Sequence, residues 1–206
     1  MARGPGARYD EQIEALADAA VRMVERDGIA GLTFRKVAEE AGVSPGRVQH
    51  YFRNRRGLAV ATFRHIRARI TRVIEEGLGA AVETPTVRDL VVVTLNSLIP
   101  QNERQVADLR VAHLVELHAM QDEDLAAELR SGRADLISFL ADRLSSARNP
   151  QPDSEDTSAR RISTVLLATA EGLSSMVLSG HLRGDEARRL VEASVAQALE
   201  HFCLGD

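Results

Sequence analysis

Tryptophan is missing from this sequence, and cysteine occurs once, at Cys203. A lone thiol closes no internal disulfide and builds no metal cluster, so packing is its expected role. Runs apolar enough to cross a bilayer are also missing, and the opening MARGPGARYD has no apolar signal region. A cytoplasmic protein is therefore expected. There is no glycine-rich phosphate loop, no His-Glu-x-x-His, no cysteine pair and no nucleophile elbow, so neither an enzyme nor a cofactor is expected. Aromatics are only 3% and strand-forming hairpin patterns are lacking, while Ala, Leu, Glu and Arg abound. That balance predicts an all-α chain.

What is present centres on Thr33 to Leu58. Thr33 can cap a helix whose Phe34, Val37, Ala38 and Ala41 share one apolar face. Gly42 stops that helix by accepting a left-handed turn, and Val43 can fold back onto the core. Ser44 caps a second helix, with Pro45 in the first position, where its missing N–H costs nothing. Cap, helix, glycine turn, cap and helix describe a helix-turn-helix. The second helix of such a unit enters the major groove by its N-terminal end. Ser44, Pro45, Gly46, Arg47, Gln49 and His50 form that end, with Val48 and Phe52 facing inward. Arg47 and Gln49 are the better base readers, because guanidinium and carboxamide groups grip guanine and adenine edges bidentately. Thr33, Arg35, Lys36, Tyr51 and Arg55 are placed for phosphates.

Charge supports DNA as partner. Thr33 to Arg72 holds ten Lys and Arg against two Asp and Glu. Residues 1–72 carry a net +6 and residues 73–206 a net −10. One basic end on an acidic body is the footprint of a nucleic-acid module. A helical scaffold or protein-interaction module, with only non-specific nucleic-acid binding, would leave that cluster unexplained.

The run GLTFRKVAEEAGVSPGRVQHYFRNRRGL, Gly31 to Leu58, resembles the DNA-binding domain of the TetR family of transcriptional regulators. The resemblance rests on the Gly-x-Thr start, the Ala-Gly-Val-Ser turn, Gly46, an aromatic pair and a basic residue before Leu58. It departs at Gln49, where Tyr is common, and at Arg55, where Lys is usual. It implies an N-terminal three-helix DNA-binding domain over residues 1–56 and a helical regulatory and dimerisation domain over 57–206. It also implies a ligand-responsive repressor acting on a palindromic operator.

Before the motif, Arg3 to Arg8 reads as a mobile arm, and Ile13, Leu16, Ala17, Ala20 and Val24 as a supporting helix ending at Asp27-Gly28. After it, Asn54 can cap a fourth helix reaching toward Leu78. Val87 to Leu98 reads as a buried helix ended by Pro100. Arg104 to Met120 follows, with Val106, Leu109, Ala112, His113, Leu117 and Met120 expected along one side. Asp122 caps the next helix, and Ala147 to Thr157 is a loop. Two aliphatic helices, about Glu155 to Ser179 and Asp185 to Phe202, close the chain. Their apolar surface suits a four-helix bundle with a second copy, a homodimer.

Residues from about 80 to 200 are similar to the regulatory domain of BetI-type members, which implies a pocket for an unknown small-molecule effector. Polar or partly apolar candidates to line it are Asn96, Arg110, His113, Glu116, Leu117, His118 and Glu171. Glu171 can equally pair with an arginine of a neighbouring helix. Only His113 and Glu116 share a face, so no metal site is expected, and the scarcity of rings argues against an aromatic cage for a betaine-like cation.

Overall fold

The computed structural model describes residues 5–80, 85–147 and 157–204. Among these the chain is helical throughout: α1 Pro5–Asp27, α2 Phe34–Ala41, α3 Pro45–Tyr51, α4 Arg55–Ala80, α5 Val87–Asn96, α6 Glu103–Ala119, α7 Glu123–Ala147, α8 Thr157–Leu178 and α9 Gly184–Leu204. A short 3-10 turn, Ile29–Gly31, joins α1 to α2. The all-α expectation holds.

Two compact units result, Met1–Arg69 with Ala107–Leu129, and Ile70–Val106 with Arg130–Asp206. Residues 56 and 57, on either side of the expected division, lie in the first turn of α4, and the first unit also takes in parts of α6 and α7. The reason lies in its interior and its ion pairs. Leu16, Met23 and Val24 of α1, Leu32, Val37 of α2, Val48 of α3 and Leu58 and Ile66 of α4 are buried, and so are Val111, Val115 and Leu125. Arg69 of α4 is bonded to both Asp18 and Asp108.

The second unit has its own core. Val91, Leu95 and Ile99 meet Leu140, Leu144, Leu166, Leu167, Ala170, Val191 and Val195. Here α8 packs on α9, and α5 packs on both. Thr86 and Asp89 cap α5 reciprocally, each side chain reaching the other's backbone N–H. That capping box stands in the letters but escaped the reading of α5 as an apolar run.

Two expectations change. Pro5 to Arg8 belong to α1 and not to a mobile arm, since Pro5 sits in the first position, where proline favours a helix. The rest of that arm, the loop residues 148–156 and the Cys203 side chain lie outside what is described. On α6 the buried stripe is Asp108, Val111, Val115 and Ala119. Leu117 and Met120, expected inside, are 63% and 82% exposed. The helix presents Asp108 to Arg69, and that long-range pairing, invisible to periodicity, turns it.

Candidate nucleic-acid interface

The geometry from Thr33 to Phe52 follows from local chemistry. Thr33 Oγ1 accepts the Lys36 N–H at 3.3 Å and Ser44 Oγ accepts the Arg47 N–H at 3.3 Å. Gly42 closes α2 at φ 66°, ψ 33°, and the Val43 N–H donates to Ala38 O at 2.9 Å. Such a left-handed closure favours glycine. Gly31 is needed for space, because a Cβ there would stand 2.8 Å from the Asp27 Cβ. Asn54 Oδ1 accepts the Gly57 N–H at 2.8 Å and caps α4.

On α3, Val48 and Phe52 are buried and hold the helix against its neighbours. Ser44, Pro45, Gly46, Arg47, Gln49 and His50 are exposed, and Tyr51 is half-buried, edge-on to the His50 ring. The inward and outward assignments along this helix therefore match the structure. Arg47 makes no ion pair among the described residues, so its fork is unspent.

The basic cluster is less free than a residue count suggests. Lys36 Nζ lies 2.7 Å from Asp27 Oδ2. Arg56 Nε bonds Asp122 at 2.8 Å, and its Nη1 bonds Asp124. Arg64 Nε donates to Glu128 at 2.7 Å. Arg22 and Arg26 share Glu40, at 2.8 and 2.9 Å. Hydrogen bonds from Arg22 and Arg26 hold the Glu40 carboxyl below its usual range, and those from Lys36 and Arg26 do so for Asp27. Arg35, exposed, sits 3.7 Å from Glu39.

Arg55 has a different partner again. Its Nη2 donates to Ile29 O at 2.7 Å and Ala30 O at 3.1 Å, tying the start of α4 to the turn that feeds α2. Those carbonyls carry no charge, so the guanidinium keeps its positive charge for an anion. Arg53, exposed and without an ion pair among the described residues, was missed by the sequence reading. Its position just past the α3 cap residue Phe52 was the available signal.

The candidate effector residues are divided between the two units. Asn96 Nδ2 reaches Glu192 at 3.4 Å, and its Oδ1 is buried without a partner among the described residues. Glu171 pairs with Arg133 Nε at 2.8 Å, the alternative already allowed for it. Both lie in the second unit, whereas Arg110, His113, Glu116, Leu117 and His118 lie in the first. Arg110 and Leu117 are exposed, and His113, Glu116 and His118 are half-buried.

Comparison with known proteins bears on this arrangement. Residues 16–62 match the family described as bacterial regulatory proteins, tetR family. The chain is 32% identical over 115 residues to the HTH-type transcriptional regulator BetI of Brucella anthropi, covering 56% of this chain and 58% of that protein. It thus spans little more than half the length of that relative. The HTH-type transcriptional regulator PksA of Bacillus subtilis is 24% identical over 202 residues, covering 96% and 93%. A solved structure from Rhodococcus sp., assigned to the TetR-family transcriptional regulators, superimposes with a TM-score of 0.79 at 26% identity, covering 92% and 99%.

Proposed function

Because the chain belongs to the TetR family of bacterial regulators, we propose that it is a sequence-specific DNA-binding transcriptional regulator, a homodimeric repressor released by a small-molecule effector. The observation that carries this reading is α3, buried through Val48 and Phe52 while Arg47, Gln49 and His50 stand exposed. Arg47 and Gln49 would read base edges. Thr33, Arg35, Lys36, Ser44, Gly46, Tyr51, Arg53 and Arg55 would hold phosphates and set register. Lys36 would do so only by leaving or sharing Asp27.

Dimerisation through α8 and α9 is supported by Val165, Met176 and Leu190, large apolar side chains exposed on those helices. Two-fold symmetry would set two reading helices about 34 Å apart, one turn of B-DNA, on a palindrome. The effector would be held by residues 57–206. The Asn96 Oδ1, buried and without a partner among the described residues, supports this, since a buried acceptor usually finds a donor.

Fluorescence anisotropy with the protein's own upstream DNA and a scrambled duplex, over a salt series, tests the reading. Specific binding should exceed non-specific binding by roughly 10³ or more. If neither this DNA nor selection from random sequences yields a consensus, the regulator reading fails and the scaffold reading replaces it.

A further inference from the structure

Arg55 and Arg56 occupy the first two positions of α4. The dipole of a helix disfavours cations there and favours carboxylates. Capping does not need them either, since Asn54 caps this helix. Each reaches a distant segment instead, and the two segments differ. Arg55 Nη2 donates to the Ile29 and Ala30 carbonyls at 2.7 and 3.1 Å, in the turn that leads into α2. Arg56 Nε donates to Asp122 at 2.8 Å and its Nη1 to Asp124, at the start of α7.

Asp122 does two things at once. Its Oδ1 accepts the Leu125 N–H at 3.1 Å and caps α7, while its Oδ2 holds Arg56. Asp122 is half-buried and Asp124 exposed, so the Asp122 bond is the less screened of the two. Two turns on, Arg64 meets Glu128, a second rung between the same helices. All these residues belong to the first unit. The first turn of a helix is its least self-held part, because its N–H groups lack partners within the helix. Here that turn is held from both sides. Consecutive Cα atoms are only about 3.8 Å apart, so a rotation that released Arg56 would also draw Arg55 off its carbonyls.

We propose that Asp122 is a positioning residue for DNA specificity that touches no DNA. Through Arg56 it fixes the first turn of α4. Through Arg55 that turn fixes the entry to α2, and α2 packs on α3, so the pose of the base-reading residues depends on a carboxylate at the start of α7. The effect on specificity rests on the DNA-binding reading, whereas the bracket from Asp122 to the Ile29 turn does not.

Anisotropy with operator and random duplexes is the first arm of the test. Asp122→Asn keeps the α7 cap, because asparagine caps as well as aspartate, and loses the charge that holds Arg56. Loss of one negative charge by itself tightens both duplexes alike, as Glu25→Gln on the exposed side of α1 should. Asp122→Asn should instead lower the operator-to-random ratio by about tenfold, the size of one mismatched base pair. Arg56→Gln leaves the cap untouched and should lower the ratio similarly. Combining the two restores the net charge, yet the ratio should stay low. An unchanged ratio in either single variant, or a restored one in the double variant, overturns the proposal. Hydrogen exchange without DNA is the second arm. The Gly31 and Leu32 amides, which donate to Gly28 O and Ile29 O, should exchange several-fold faster in Asp122→Asn, with Val191 in the second unit unmoved. No change at Gly31 and Leu32, or equal acceleration at Val191, also overturns it. Exchange that responds in a protein binding no duplex specifically would sink the regulator reading and leave the bracket standing.

Discussion

His65 Nε2 lies 2.7 Å from Asp18 Oδ1, joining α4 to α1 across 47 residues of sequence. The same oxygen accepts from Arg69, whose other terminal nitrogen donates to Asp108. His65 and Arg69 expose only 8% and 14% of their side chains. Burial alone would push the Asp18 carboxyl up. The hydrogen bond from His65 and the charge of Arg69 outweigh it, and the carboxyl ionises below its ordinary value of 3.8.

A pH dependence follows. The folded value is depressed, so the contribution of Asp18 to stability is fully present above its ordinary value and is lost as pH falls through the folded one. Asp18→Asn should lower the urea midpoint near neutrality, and the two proteins should converge as pH falls through the folded value, below 3.8. Parallel urea titrations check this. A constant offset at every pH would remove the linkage argument.

Arg47 and Arg53 should fail differently. Arg47→Ala is expected to lose about 1–3 kcal/mol on one base step and to relax specificity there, while Arg53→Ala weakens all DNA alike and reduces the salt slope by about one. Binding to operator, single-base variants and random DNA at several salt concentrations separates them. Equal losses on operator and random DNA for Arg47→Ala would refute its role as a reader.

Gly42 isolates backbone strain from packing. A Cβ at this position meets nothing within 4 Å, yet φ is +66°. Gly42→Ala should therefore destabilise by roughly 1–2 kcal/mol through conformation alone. Gly42→Asn should cost less, because asparagine visits this region more readily. Chemical denaturation of the two variants gives the ranking, and an alanine as stable as wild type would contradict it.

Leu190 is 43% exposed on α9 and Val165 is 60% exposed on α8. If these helices pair with a second copy, Leu190→Glu places a charge in that interface and should shift sedimentation from dimer to monomer at micromolar protein. Operator binding should fall with it, since one reading helix reaches only a half-site. Unchanged sedimentation of the variant would count against this face as the interface.

The helix pair was legible because its instructions are short-range. Thr33, Gly42, Ser44, Pro45 and Asn54 each act on a backbone group within a few positions, so the letters alone placed α2, α3 and the start of α4. The burial of Val48 and Phe52 beneath exposed Arg47 and Gln49 followed from helical spacing in the same way. Charge was a coarser guide. The basic excess marked the right region without saying which cations are committed.

Only tertiary structure settled that. Lys36 went to Asp27, Arg56 to Asp122 and Asp124, Arg64 to Glu128, and Arg69 to Asp18 and Asp108. Asp108 likewise set the face of α6 and left Leu117 and Met120 outside. A cap or a glycine turn is decided by neighbours in the chain and can be read from them. An ion pair forms between residues that folding alone brings together, so the sequence determined α2 and α3, and the tertiary structure decided which charges beside them remain open.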